Sequence, residues 1–385
     1  MLPDIKPTSP ISRISLEDLD GPELEVTVQE VAPLVGMNPL FLQRIYGKGT
    51  LTRRNIFDIL LLDEFQETFI PRSKILEYLS RSKPQPVIFN KSPEGLFVSD
   101  VRDFISSIPD SYIDATVTSP PYWGVRMYDQ HHVVTWSDGE NACYGHEQTP
   151  EGYIRHSIEI LYLLLSKMKS EGSIWWNVMD TFNSRSPIRS NAAESLAAMR
   201  GENVKKWSEH ECRRYSSGHS FLKDGDQCLI PQRIAERACR IGYYMKSNIA
   251  WNKTGSMPEP VTTRVNRGME HILHLGVSRT ISFNKDACLT ADTKIGGRNP
   301  QYEQNKITDV WTLSTSNGQG GHGAQFPIAL PGRCILLSTN PGDIIFDPFI
   351  GSGNTAIAAT SLNRRHLGCD VSDQYISIAN KRLDH

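Results

Sequence analysis

The seven cysteines, Cys143, Cys212, Cys228, Cys239, Cys288, Cys334 and Cys369, include no pair spaced as in a CxxC motif. The paired-thiol signature of redox and zinc motifs is therefore missing, and an odd, scattered set points to reduced thiols in a cytoplasmic protein. His210, Cys212 and His219 have no regular ligand spacing, so no metal is expected. No apolar run approaches the roughly 18 residues of a membrane span. Residues 1–20 carry acidic side chains without an apolar centre, unlike a signal peptide. An excess of one charge is missing too. The 41 Lys and Arg nearly balance 43 Asp and Glu, leaving a net charge of −2, so a polyanionic partner would have to be met by a local basic patch. With 39% hydrophobic and 22% charged residues, a 385-residue chain has the composition of a globular protein and room for more than one domain.

Residues 1–22, rich in Pro, Ser and Asp, read as a flexible arm. Residues 23–82 read as a small helical domain. A short amphipathic helix begins at Val26 and ends at Gly36, Asn38 caps a second over 39–46, and Gly47 and Gly49 close it. A short strand and a closing helix are expected over 69–79. The order resembles a winged helix-turn-helix, which would place Gln43 and Arg44 in a major groove. The same pattern suits a helical cap on the main domain. A Pro-rich linker, Lys83–Pro86, follows.

From residue 87 strands and helices alternate, the pattern of an α/β doubly wound, largely parallel sheet. Expected elements are a strand over 95–100, a helix over 101–108, a strand over 112–118 and a long helix from Thr149 to Lys169 that stops at Gly172. Residues 173–179 read as an apolar strand, as in a sheet covered on both faces. Further on come a helix over 229–241, strands near 244–251 and 271–277, a helix over 327–338, and strand, glycine loop, helix, strand and helix from Asp343 to Leu383. Residues 184–226 and 284–310 read as irregular.

Two stretches stand out. Thr118-Ser119-Pro120-Pro121-Tyr122-Trp123 ends the 112–118 strand. Its prolines remove two backbone donors and fix two φ angles, leaving a stiff loop with a hydroxyl, free carbonyls and aromatic rings. Such a set suits a flat, polar, aromatic ligand. The second stretch is Asp347-Pro348-Phe349-Ile350-Gly351-Ser352-Gly353-Asn354. It lacks the lysine of a Walker loop and the third glycine of a dinucleotide loop. Two glycines before a helix N-terminus suit a smaller anion such as a carboxylate. Asp370, one strand later, is placed to accept ribose hydroxyls. A carboxylate and a ribose together suggest S-adenosylmethionine.

Taken in order, these stretches resemble the amino-methylating DNA methyltransferases of the permuted β type, in which the catalytic loop precedes the cofactor loop. Asp100–Ile105 and Asp114–Val117 resemble the lead-in to the catalytic loop, and Tyr122–Tyr128 its continuation. Trp251–Lys253, Met257–Glu259 and Glu270-His271 resemble later core motifs. Val310–Leu313 and Ala324–Pro327 resemble the approach to the cofactor loop, and Arg364–Gly368 and Tyr375–Leu383 its tail. The resemblance covers about residues 90–385 and implies a Rossmann-like S-adenosylmethionine-dependent fold.

It also implies roles. Asp347, Phe349, Gly351 and Gly353 would line the methionine and ribose side of the cofactor. Asp370 would hold the ribose although the family more often has Glu, Asp100 would lie by the adenine or methionine end, and Phe326 and Pro327 would close the pocket. Ser119 and the Pro120 carbonyl would bind the hydrogens of an exocyclic amine, Pro121 would stiffen the loop and Tyr122 would stack on the base. The base must be flipped out of duplex DNA. Arg185, Arg189, Lys205, Lys206, Arg213 and Arg214, in the basic segment 184–226, would contact that DNA. Serine at position 119 is typical of cytosine N4 and Asp or Asn of adenine N6, so the expected product is N4-methylcytosine. No Pro-Cys dipeptide is present for cytosine C5 chemistry. A cognate restriction endonuclease is an expected partner. Open alternatives are adenine N6 transfer, RNA methylation, and a non-catalytic DNA-binding regulator on a vestigial fold.

Overall fold

The structure is a computed structural model that describes residues 26–29, 42–43, 46–47, 50–51, 55, 93–125, 132–136, 141–147, 149–185, 215, 222–254, 261–315 and 326–384. The chain divides into two compact units. One comprises Met1–Lys83 with Val133–Ala142, the other Pro84–His132 with Cys143–His385.

In the first unit, Val26–Thr27 pairs antiparallel with Thr50–Leu51. Residues 26 and 27 are thus strand, where the sequence suggests the start of a helix. Helical residues follow at 28–29, 42–43 and 46. Gly47 closes the second helical stretch. Its φ is +84° and its N–H bonds to the Gln43 carbonyl at 2.9 Å, a left-handed stop that favours glycine. A second ribbon pairs Val134–Thr135 with Asn141–Ala142, and the indole of buried Trp136 donates to the Ala142 carbonyl. The strand and helix expected over 69–79 lie outside the described residues.

The second unit is built on one eight-stranded sheet. Its elements in chain order are β1 Gly95–Val98, α1 Val101–Ser107, β2 Ile113–Thr118, α2 Pro150–Leu165, β3 Met168–Val178, α3 Ile230–Arg240, β4 Tyr244–Thr254 and β5 Met269–Gly276. They continue with α4 Lys285–Thr290, β6 Val310–Ser314, α5 Ala329–Ser338, β7 Ile344–Asp347, α6 Asn354–Ser361, β8 Arg365–Asp370 and α7 Asp373–Leu383. The spatial order is β6-β4-β5-β3-β2-β7-β8-β1. All neighbours are parallel except β5, which runs antiparallel to both β3 and β4.

Burial on both faces of β2 explains the doubly wound form. Ala115 and Val117 point into a core with Trp175, Ile249, Trp251, Trp311, and Leu330 and Ile335 of α5. Thr116 and Thr118 on the other face are equally buried, so helices must cover both sides.

Three expectations are corrected. The long helix ends at Leu165, not Lys169, because Ser166 and Lys167 turn the chain back into β3. Gly172 lies inside that strand, where a Cβ would sit 2.9 Å from the Lys169 carbonyl and 3.1 Å from that of Asp114. Residues 284–310 are ordered by bonds that local pattern does not show. Asn284 caps α4 by accepting the Ala287 N–H, and Arg333 of α5 donates to the carbonyls of Gly296 and Gly297 and to both carboxylate oxygens of Glu303. The 310–313 stretch is edge strand β6, in register with Ala250–Thr254 of β4.

Candidate active site

The C-terminal ends of β2 and β7 lie side by side, because those strands are neighbours in the sheet. That brings the Ser119–Trp123 loop next to the Asp347–Gly353 loop, although they are far apart in sequence. One carboxylate fastens them. Thr118 Oγ1 donates to Asp347 Oδ1 at 2.6 Å, the Phe349 N–H donates to the same oxygen at 3.0 Å, and Thr355 Oγ1 donates to Oδ2 at 2.6 Å. Asp347 is fully buried, and burial raises its pKa to about 6 against the three hydrogen bonds that lower it. It was expected to line the cofactor. The structure instead places its carboxylate inside the protein, between the catalytic strand and the cofactor helix.

Stiffness in the catalytic loop has a visible source. The Tyr153 hydroxyl donates to the Pro121 carbonyl at 2.9 Å, and the Trp123 indole donates to the Glu147 carbonyl at 2.9 Å. Gly145 has φ +91°, and a Cβ there would lie 3.0 Å from Pro121 Cβ. The Gly145 N–H is held by Glu147 Oε2, and Glu147 Oε1 is 3.0 Å from His156 Nδ1. Burial pushes the Glu147 carboxyl above the usual range, with the bond to His156 opposing. Pro121 is thus clamped from two sides. Among the described residues nothing donates to the Pro120 carbonyl.

Around Ser119 is a polar network that no sequence motif announces. Ser119 Oγ is 3.0 Å from the Tyr122 hydroxyl, which donates to Glu270 Oε2 at 2.6 Å. Asn177 Nδ2 contacts Tyr122 Oη at 2.7 Å, Glu270 Oε2 at 2.9 Å and Ser119 Oγ at 3.3 Å. Lys253 Nζ holds Glu270 Oε1 at 3.0 Å. The amide orientation of Asn177 follows from its neighbours: rotated, its oxygen would face the carboxylate. Its Oδ1 is buried and has no partner among the described residues. Anchoring its hydroxyl fixes the outer end of the Tyr122 ring, the ring expected to stack on a base. The one local signal for Asn177 is that it is an amide set into the apolar run 174–178. Lys253 and Glu270 fall in segments that resemble later core motifs of the family, and spacing alone gives neither a role.

On the cofactor side the two glycines differ. Gly351, at φ +50°, faces open space: the atom nearest to where a Cβ would sit is the Phe349 carbonyl oxygen, 3.9 Å away. Gly353, at φ +89°, is required by packing, since a Cβ would sit 2.8 Å from Ala379 Cβ of α7. Helix α6 opens at Asn354 with no side-chain cap, so its first amides can take an anion.

Asp370, at the end of β8, accepts the Gly351 N–H at 3.0 Å through Oδ2 and the Ser372 N–H at 2.9 Å through Oδ1. Burial raises its pKa. Beside it, Val98 and Val371 are exposed apolar side chains, and Val98 pairs with Asp370 in the β1–β8 register. Asp100 caps α1, accepting the Arg102 N–H at 2.9 Å, and its other oxygen is 3.6 Å from His132 Nε2. Phe349 stacks on Tyr144 at 5.2 Å. Phe326 is buried and its carbonyl accepts from Asn354 Nδ2 at 2.7 Å, with Pro327 half-buried beside it. A carboxylate at the end of β8, adjoining apolar side chains and an uncapped helix start are groups that would suit the ribose, adenine and carboxylate of S-adenosylmethionine.

Of the residues expected to contact DNA, Arg185 is exposed and lies over the Tyr215 ring at 4.5 Å, donating to that hydroxyl at 3.1 Å. Gln43 is half-buried in the first unit. Arg44, Arg189, Lys205, Lys206, Arg213 and Arg214 lie outside the described residues, as do His210, Cys212 and His219. No helix among the described residues is long and apolar enough to cross a membrane.

Comparison with known proteins agrees with this geometry. The N6_N4_Mtase family model, described as DNA methylase, matches residues 113–381. The type II methyltransferase M.Cfr9I of Citrobacter freundii is 29% identical over 313 residues, covering 80% of this chain and 92% of that protein. M.SmaI of Serratia marcescens, also a type II methyltransferase, is 26% identical over 295 residues, covering 75% and 90%. Among solved structures, the PvuII DNA methyltransferase (cytosine-N4-specific) superposes with a TM-score of 0.52 at 16% identity, covering 78% of this chain and 89% of that one, which shows a shared fold. With its largely parallel sheet, its paired loops and a family match that spans both, the chain belongs to the N6_N4_Mtase family of DNA methylases and uses S-adenosylmethionine as methyl donor.

Proposed function

We propose that this protein methylates the N4 amine of a cytosine flipped out of duplex DNA, at a specific site, as the modification enzyme of a type II restriction system. The observation that carries the reading is the acceptor set at the catalytic loop: the Pro120 carbonyl and Ser119 Oγ, which Asn177 Nδ2 and the Tyr122 hydroxyl hold at 3.3 and 3.0 Å. An exocyclic amine is a poor nucleophile because its lone pair is delocalised into the ring. Acceptors on its two hydrogens draw the nitrogen toward sp³ and return that lone pair. Serine at 119, rather than Asp or Asn, is the family feature that favours cytosine over adenine.

When bound, the cofactor supplies a methyl carbon on a positively charged sulfur. Asp370 accepts the ribose hydroxyls with lone pairs that its two amide bonds leave available. Val98 and Val371 flank the adenine, and the start of α6 takes the carboxylate. Asp347 acts by position, holding Thr118 and Thr355 so that the two loops keep their spacing. The methylated amine carries one proton too many. Ser119 Oγ receives it, and the Ser119–Tyr122–Glu270 chain of 3.0 and 2.6 Å contacts conveys it to a carboxylate. Lys253 and Asn177 keep Glu270 in place. Arg185, with the basic residues of 184–226, meets the phosphates. The helical domain of residues 23–82 adds a second DNA contact through Gln43 and Arg44.

The test is methylation of mixed genomic DNA with labelled S-adenosylmethionine, followed by nucleoside analysis. N4-methylcytosine at one sequence is expected, and N6-methyladenine as the product would refute the cytosine assignment. Ser119→Ala is expected to lower kcat while leaving cofactor affinity intact.

A further inference from the structure

Residues 261–268, described between β4 and β5, lie beside the catalytic network without belonging to it. The segment is tied to both strands. The Lys253 N–H donates to the Gly268 carbonyl at 2.9 Å, and Lys253 and Glu270, on either side, form the ion pair that reaches Tyr122. It is also held from below. The guanidinium of Arg264 lies 3.8 Å from the Phe182 ring centroid and that of Arg267 lies 5.5 Å from it. Arg267 Nη1 donates to the Asp180 carbonyl at 3.0 Å, and the buried Asp180 carboxylate accepts the N–H groups of Leu229 and Ile230 where α3 begins.

Between these two anchored arginines Val265 is 87% exposed. Its neighbours Thr262, Thr263 and Asn266 are exposed polar residues. A single exposed valine needs no explanation in itself. A β-branched apolar side chain held out by two clamped arginines, five residues from the glutamate of the catalytic network, is a different case. Five extended residues span at most about 17 Å, comparable with the roughly 12 Å width of a major groove.

Resting on the proposal that the enzyme flips a base out of duplex DNA, we infer that Val265 is the wedge that enters the base stack when the target nucleotide leaves it. Apolar side chains inserted between base steps are a known way to stabilise unstacked DNA. The stacked arginines keep the loop rigid and place positive charge at the flanking phosphates.

The test uses full-length protein and a duplex carrying the sequence that the wild-type protein methylates, alongside the same duplex with an abasic target position. Val265→Gly is expected to weaken binding to the intact duplex about tenfold or more and to the abasic duplex less than twofold, because there no base has to be displaced. Val265→Ile is expected to bind both as the wild type does. Equal losses on the two duplexes, or no loss on the intact one, would overturn the wedge. Unchanged thermal stability and S-adenosylmethionine affinity show that the variant is folded. Failure of the wild-type protein to methylate any DNA would sink the functional reading instead.

Discussion

Asp347→Asn isolates the contact that joins the two loops. In the wild type, burial raises the Asp347 pKa from 3.8 to about 6 despite bonds from Thr118, Thr355 and the Phe349 N–H. Below pH 3.8 both folded and unfolded chains carry the proton. As pH rises toward 6 the unfolded chain releases it first, so the unfolded state gains and folding stability falls. Above pH 6 both are ionised and the loss levels off at about 3 kcal/mol, taking 1.36 kcal/mol for each pH unit between the two values. Asparagine does not titrate. Its single oxygen can accept from Thr118 and the Phe349 N–H, while its amide donates to Thr355, whose hydroxyl turns to the Val117 carbonyl 3.4 Å away. Urea denaturation of cofactor-free protein from pH 4.5 to 8 reads the difference, without ligand linkage to obscure it. Asp347→Asn is expected to gain on the wild type steadily between pH 4.5 and 6.5 and to run parallel to it above pH 7. A difference that is flat across the whole range, or that moves in favour of the wild type as pH rises, would refute the buried-carboxylate account.

Other variants probe the remaining contacts. Glu270→Gln removes the charge that ends the Ser119–Tyr122 chain, and kcat is expected to fall about 100-fold or more with unchanged KM for S-adenosylmethionine, measured by initial rates. Tyr122→Phe deletes the hydroxyl shared by Ser119, Asn177 and Glu270 and is expected to lower kcat in the same direction. Gly145→Ala forces a side chain into φ +91° against Pro121, so thermal melting is expected to show a loss of about 1–2 kcal/mol together with reduced kcat. Arg333→Met strands the buried Glu303 carboxylate and is expected to cost about 3–5 kcal/mol by chemical denaturation, with Glu303→Gln in the same chain recovering part of it.

The alternation of strands and helices could be read from the sequence because most central strands are short apolar runs with a helix between them. What escaped was fixed at a distance. Edge strand β6 buries only Trp311 and Leu313 of its five residues, so its apolar signal is thin, and its pairing partner Ala250–Thr254 lies about sixty residues away. The 284–310 segment looks irregular because its order depends on Arg333, whose guanidinium binds Gly296, Gly297 and Glu303 across thirty residues or more. No local propensity carries either fact. The assignment of Val133–Ala142 to the same unit as residues 1–83 is of the same kind.

Both loops of the site could be found because each is contiguous and chemically unusual. The residues that work between them carry only a faint local signal and no role that spacing assigns, and the sheet explains why. In this fold the parallel strands deliver their last residues to the catalytic edge, which is how Thr118, Asp347 and Asp370 come to lie there. Strand β5 runs the other way, so its first residues arrive at that edge instead. Glu270, second in β5, therefore meets Asn177, second from the end of β3, with the strands in register at Asn177 and Ile272. Were β5 parallel, Glu270 would stand at the opposite end of the sheet and the hydroxyls of Ser119 and Tyr122 would have no carboxylate. A slip of one residue between β3 and β5 would turn Asn177 to the wrong face with the same result. The proton path proposed for the reaction thus depends on the single reversed strand and its register, which no motif in the sequence spells out.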